Sequence, residues 1–257
     1  MRVTRNWVPS AFTMANLFCG YFSVILTANG KFIQASWLIV AAAVLDALDG
    51  KIARLTKTAS HFGVEYDSLA DVVSFGFAPS FLIYKSVFQN WGTVGIIISF
   101  IPLVFGSVRL ARFNIRLKGF DKEYFEGLPI PPAAITIATF LVFNYHFWGR
   151  LRWEKLYLLI VITVSVLMLT TIRYETLPNF SLQKGRMNRW KFFIIMISIL
   201  TIILFPQETF FLWAVAYALS GPIRLSWQVM RGDEIERKKT RKNNESNNQS
   251  SAKKRNS

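Results

Sequence analysis

Cysteine is all but missing from this 257-residue chain: Cys19 stands alone. No internal disulfide can form, and cysteine usage says nothing about redox compartment. Charge is sparse, at 18% of residues, and negative charge sparser, with fifteen Asp and Glu against thirty Lys and Arg. Histidine is limited to His61 and His146. Both fall outside the acidic constellation described below, and each reads as an interfacial or packed side chain. No small-x-small cleavage site precedes a soluble stretch, so a cleavable signal peptide is not expected.

What the chain has in quantity is apolar length, with 52% of its residues in the apolar set, which excludes disorder. The runs 11–27, 130–147, 156–172 and 192–205 are each near the ~20 residues that cross a bilayer core. A looser window adds 32–54, 62–88, 93–112 and 209–225. The expectation is an all-α integral membrane protein of about eight spans. Basic residues cluster at alternate ends of these spans, which by the positive-inside rule puts both termini in the cytoplasm of a bacterial inner-membrane type of protein. Connections between the spans are short apart from 114–128 and 174–189, so no inserted soluble domain is expected. The tail 231–257, rich in Lys, Arg, Asn and Ser, is expected to be disordered. The net charge of +15 then reads as affinity for anionic membrane lipids. Nucleic acid is not expected as a partner, because no basic-aromatic groove pattern accompanies the charge.

Against this background a few acids stand out. Asp46 and Asp49 interrupt an apolar run, three residues apart and so on one helix face. An ionised carboxylate inside a span costs a few kcal/mol and needs a cation, a cavity or a partner. On the same face Gly50 and Ala53 leave room for something bulky near the backbone, and Arg54 is placed to meet a phosphate or carboxylate. Gly63 follows, then Asp67 and Asp71, four apart on the next helix. Two antiparallel helices would bring the four carboxylates together, and divalent cations would relieve their repulsion. An all-oxygen ligand set points to Mg²⁺ or Mn²⁺, and two such ions suit phosphoryl transfer.

The pattern Asp46-x2-Asp49-Gly50-x2-Ala53-Arg54-x8-Gly63-x3-Asp67-x3-Asp71 resembles the signature of the CDP-alcohol phosphatidyltransferase family. That resemblance implies transfer of a substituted phosphate from a CDP-linked donor to an alcohol, with release of CMP. It implies that Asp46, Asp49, Asp67 and Asp71 are metal ligands and that Asp71 is also the general base. It places Gly50, Ala53, Arg54 and Gly63 at the CDP. It further implies a six-helix core and a homodimer. The expected organisation is a catalytic transmembrane core over 1–172, an added C-terminal transmembrane hairpin over 173–230, and the basic cytoplasmic tail.

The blocks at 16–20, 74–79, 109–114 and 127–131 are similar to those of the family's phosphatidylserine synthase branch. The resemblance therefore implies CDP-diacylglycerol and L-serine as substrates, with the active site facing the cytoplasm. Arg109, Arg112 and Asn114 offer what a serine carboxylate needs, although any cytoplasmic helix end attracts arginine. Asn16 joins them as an acceptor-binding candidate from its block. The cluster Pro129, Pro131 and Pro132 reads as a helix start. Two alternatives stay open: the same chemistry on glycerol 3-phosphate or an inositol phosphate, served by Arg109, Arg112, Arg116 and Lys118, and a cation transporter with acids along an ion path.

Overall fold

A computed structural model describes residues 10–56, 61–116, 124–175, 196–230 and Gly232. The N-terminal arginines Arg2 and Arg5, Lys118 and the basic tail lie outside these residues. The chain forms two compact units, 1–218 and 219–257. Everything that builds the site belongs to the first.

Its helices run α1 Ala11–Ala28, α2 Phe32–Thr56, α3 His61–Asp71, a π-helical turn Val72–Phe77, α4 Ala78–Ser86, α5 Gly92–Arg116, α6 Ile130–Trp148 and α7 Glu154–Leu169. The last helix, Pro206–Met230, begins in the first unit. The first helix shows why they assemble. Its buried residues are Thr13, Asn16, Gly20, Ser23 and Thr27, at the three- and four-residue spacing of one helical face. They are small or polar. The large apolar side chains Phe18, Tyr21, Phe22 and Ile25 point outward instead. This inverts a water-soluble helix and is what lipid surroundings dictate: small residues let backbones approach, while apolar bulk faces the acyl chains. Ser23 ties the face to α2 by donating to Ala35 O at 2.9 Å.

The most enclosed helix is α6, opened by Pro129 as cap, with Pro131 in its first turn, where a missing N–H costs nothing. Ile137, Ala138 and Leu141 are buried against a core that includes Ala35, Ile39 and Ala42 of α2. Phe140 stacks on Tyr157 of α7 at 4.9 Å, and the Tyr157 hydroxyl, fully buried, donates to Ile137 O at 3.1 Å.

The expectation of eight spans is corrected. Among the described residues four helices are long and apolar enough to cross a membrane: 11–28, 32–52, 88–115 and 130–148. The stretch 62–88 fails because its first half carries Glu65, Asp67 and Asp71 and its helix divides into three pieces. The run 156–172 gives only the 16-residue α7, since Thr170 turns extended. At 1.5 Å per residue that is about 24 Å, short of a ~30 Å hydrocarbon core. The run 192–205 is helical only over 196–204 among the described residues, and Pro206–Met230 carries Glu208, Pro222 and Arg224. The outward apolar surface still marks a membrane-associated protein.

The two long connections contain a feature absent from the hydropathy pattern. Strand β1, Tyr124–Glu126, pairs antiparallel with β2, Arg173–Glu175. The ladder continues as Gly127 N to Ile172 O at 2.8 Å and Leu128 N to Leu167 O at 3.0 Å. Gly127 sits at φ +77°, and a Cβ there would lie 2.9 Å from Thr170 O, so glycine is required on both counts.

Candidate active site

The acids converge where the second half of α2 packs beside the last turns of α3. Ligand oxygens of Asp46, Asp67 and Asp71 all lie within 4.8 Å of one another. Asp46 comes from α2, and Asp67 and Asp71 come from one face of α3, one turn apart. Asp71 is buried, at 7% exposure, and the other two are half-buried. Burial, and then the neighbouring Asp49, push the Asp67 carboxyl up to about 6. Burial raises Asp71 well above the usual carboxylate range, and Asp46 and Asp67 add to it. A hydrogen bond from Asn16 and the Arg109 guanidinium act in the opposite direction.

Asp49 is held differently. Its Oδ1 accepts from the Ser10 hydroxyl at 2.6 Å and its Oδ2 from the Thr13 hydroxyl. Ser10 is the N-cap of α1 and also accepts from Thr13 N at 3.1 Å. The first turn of α1 thus orients a carboxylate on α2.

The wall beside Asp71 is built from α1, the π-helical turn and α5. Asn16, completely buried, donates from Nδ2 to Asp71 Oδ1 at 3.3 Å. Ser74, inside the π-helical turn, donates to Asn16 O at 2.9 Å. Gly20 allows this approach, since a Cβ there would come within 2.7 Å of Ser74 Cα. Turns of this kind widen a helix by one residue and occur often at functional sites. Arg109 on α5, also 7% exposed, is a cation whose charge acts on Asp71.

The donor set fits a divalent metal. Asp67 Oδ1 is buried without a hydrogen-bond partner, in a group of three carboxylates that would otherwise repel one another. Asn16 Oδ1 and Arg109 Nε are likewise buried without a partner. Polar atoms left so in an apolar interior cost free energy unless something binds there.

Other candidates are placed as follows. Gly50 is exposed on α2 and Gly63 half-buried on α3. Ala53 and Arg54 lie in the last turns of α2, with side chains outside the described residues, as are those of His61 and Arg116. Arg112 is turned away from the acids and donates from Nη1 to Leu169 O at 2.9 Å. Asn114 donates to Glu65 Oε2 at 3.2 Å and Ser68 Oγ at 3.0 Å, tying α5 to α3. His146 lies far along α6 and meets Glu208 at 3.3 Å. The sequence reading missed Ser10 and Thr13. Their one signal was a serine immediately before an apolar helical run, which also marks an ordinary helix cap.

This geometry agrees with what the chain resembles among known proteins. It is 39% identical over 218 residues to a CDP-diacylglycerol–serine O-phosphatidyltransferase of Helicobacter pylori, covering 84% of this chain and 90% of that one. It is 38% identical over 169 residues to an archaetidylserine synthase of Methanothermobacter thermautotrophicus, covering 65% and 69%. A Mycobacterium bovis CDP-diacylglycerol–serine O-phosphatidyltransferase is 33% identical over 162 residues, 61% of this chain and 56% of that one. The family model for CDP-alcohol phosphatidyltransferases matches residues 6–161, a stretch that contains every acid of the cluster and both helices that wall it. By that match and these relatives the chain belongs to the CDP-alcohol phosphatidyltransferase family.

Proposed function

We propose that this chain transfers the phosphatidyl group of CDP-diacylglycerol to the hydroxyl of L-serine and releases CMP. The observation that carries the choice of acceptor is the neighbourhood of Asp71. One buried guanidinium, Arg109, and one buried amide, Asn16, face it, each with an unpartnered polar atom. A serine zwitterion asks for one cation at its carboxylate and one acceptor oxygen at its ammonium, and these two residues offer both. A phosphorylated acceptor asks for several cations. Arg112 is already committed to Leu169 O, which removes it from such a set.

In this reading Asp71 takes the proton of the serine hydroxyl while that oxygen attacks the lipid-linked phosphorus. The bond to CMP breaks, and CMP leaves with the pair of electrons. Asp46, Asp67 and Asp71, with Asp49 beside them, would hold Mg²⁺ or Mn²⁺. Two such ions would neutralise the pyrophosphate and the charge on the leaving group. The remaining work is positioning: Asn16 orients Asp71, and Arg109 orients the amino acid. Gly50, Ala53, Arg54 and Gly63 belong at the CDP moiety. Lys51, Arg109 and Arg112 share the end of the helices that carries the acids, which supports a cytoplasm-facing site. The homodimer implied by the family likeness is part of the same proposal.

The deciding experiment supplies purified protein with CDP-diacylglycerol and serine, glycerol 3-phosphate or an inositol phosphate in turn, with and without Mg²⁺ or Mn²⁺. Metal-dependent CMP release with serine is expected. Release with a phosphorylated alcohol alone would move the assignment within the family, and none with any alcohol would remove it.

A further inference from the structure

The helix that carries two of the three clustered acids is itself lightly held. It packs against α1, but Phe62, Val64, Glu65 and Leu69 are exposed on it, and among its described residues full burial begins at Ala70. An eleven-residue helix with so little buried surface turns about its own axis more easily than the enclosed α6. For a metal site this matters. A rotation of about 10° carries a carboxylate at the ~5 Å outer radius of a helix through about 1 Å, whereas ligand distances in a metal site are held to about 0.2 Å.

From the side of α5 the helix is gripped by Asn114, in the last turn of that helix. The Asn114 amide donates from Nδ2 to Ser68 Oγ at 3.0 Å and to Glu65 Oε2 at 3.2 Å. Glu65 and Ser68 are three residues apart and share one face of α3. Ser68 Oγ donates in turn to Val64 O at 3.1 Å, which fixes the hydroxyl to its own helix. A grip at two points one turn apart resists rotation, where a single bond would serve as a pivot. Ser68 follows Asp67 directly and stands about 100° round the helix from it, so the gripped face leaves the acids turned toward Asp46. Both donor hydrogens of the Asn114 amide are engaged by α3, and none is left for the carboxylate of an acceptor.

We propose that Asn114, acting through Glu65 and Ser68, is a positioning residue for the metal ligands Asp67 and Asp71: it fixes the rotation of α3 and with it the spacing of these carboxylates from Asp46. In this way α5 does for α3 what Ser10 and Thr13 of α1 do for Asp49 on α2. The proposal rests on the metal reading above.

The test is Mn²⁺ binding by the full-length protein purified in detergent, measured by calorimetry, together with Tm and with serine kinetics at saturating Mn²⁺. Asn114→Ala weakens Mn²⁺ binding about fivefold and leaves the serine KM at the wild-type value. Ser68→Ala acts in the same direction. Glu65 separates the hydrogen bond from the negative charge: Glu65→Gln keeps an acceptor oxygen for Asn114 and retains the wild-type affinity, while Glu65→Ala lowers it. In a background that carries both Glu65→Ala and Ser68→Ala, the Asn114→Ala change adds nothing further, because the groups it acts through have gone.

Wild-type Mn²⁺ affinity in Asn114→Ala would overturn the proposal, whatever its Tm. So would an equal loss in both backgrounds, or equal losses in Glu65→Gln and Glu65→Ala, which would make charge and not the bond responsible. A raised serine KM with unmoved Mn²⁺ binding would place Asn114 at the acceptor instead. Where Asn114→Ala does not fold, the two variants of the exposed Glu65 decide by the same criterion. Should the wild type bind no Mn²⁺, the metal reading falls and takes this proposal with it, whereas wild-type binding with unmoved variants removes only the part played by Asn114.

Discussion

The hydroxyl of Ser10, the residue that caps the first helix, donates to Asp49 Oδ1 at 2.6 Å across 39 residues of chain. Thr13 holds the other oxygen. Both oxygens of Asp49 are therefore oriented by α1 beside the cluster of Asp46, Asp67 and Asp71. Partners that orient ligand carboxylates tune the affinity of the site as strongly as some ligands do.

Removing one of these hydroxyls accordingly weakens metal binding without touching a carboxylate. Thr13→Val is expected to lower Mn²⁺ affinity by about tenfold, measured by calorimetry or by the Mn²⁺ resonance signal of the purified protein. An unchanged affinity would show that Asp49 needs no such support.

Asp71 and its neighbours separate chemistry from insertion. Asp71→Asn keeps the shape and removes the base, so turnover is expected to fall by roughly 100-fold or more while the protein still inserts and purifies. Full activity in this variant would refute the base assignment.

The two arginines one turn apart should divide their effects. Arg109→Lys is expected to raise the serine KM by about tenfold or more, because a point charge replaces the fork in a buried position. Arg112→Met instead loses the bond to Leu169 O, with a cost of about 1–3 kcal/mol in stability and little change in serine KM. Melting curves and steady-state kinetics on both variants check the division; interchanged effects would contradict it.

The raised carboxyls set the pH response of the metal-free protein. The folded-state value of Asp67, about 6, lies above its ordinary 3.8. Between those values the folded state binds more proton than the unfolded one, so stability falls as pH rises through that window. A divalent ion requires the deprotonated form. Added Mn²⁺ should therefore raise Tm more at about pH 7.5 than at about pH 5.5. An equal shift at both would speak against metal binding at these acids.

Gly20 tests the packing that supports Asp71. A side chain there meets Ser74 Cα at 2.7 Å, backbone that cannot swing aside. Gly20→Ala is expected to cost about 1–3 kcal/mol and to lower activity with it, because the π-helical turn follows directly on Asp71. Wild-type Tm and rate in this variant would show that α1 gives way freely.

Much of the site is local and therefore readable along the chain. Asp67 and Asp71 share a face because a helix repeats every 3.6 residues, and Asp46 lies on the preceding helix, close along the chain and within reach. The membrane character is legible for the same reason, since hydropathy sums over neighbours. The number of spans was not. Whether a run stays one helix depends on where packing ends it, and α7 stops at Leu169 although apolar residues continue. Acceptor candidates read from helix ends were similarly incomplete: Arg109 and Arg112 look alike in sequence, and only their surroundings send one toward Asp71 and the other to Leu169 O.

By itself the sequence determined the acids, their spacing, the apolar helices and the family likeness they carry, all properties of residues within a few turns of one another. The tertiary structure alone decided which hydroxyls hold Asp49, which amide meets Asp71, and that Arg112 reaches Leu169 O across 57 residues of chain. Those contacts join helices distant in sequence, and no local periodicity encodes them, because they form only when small and polar faces pack together inside an apolar shell.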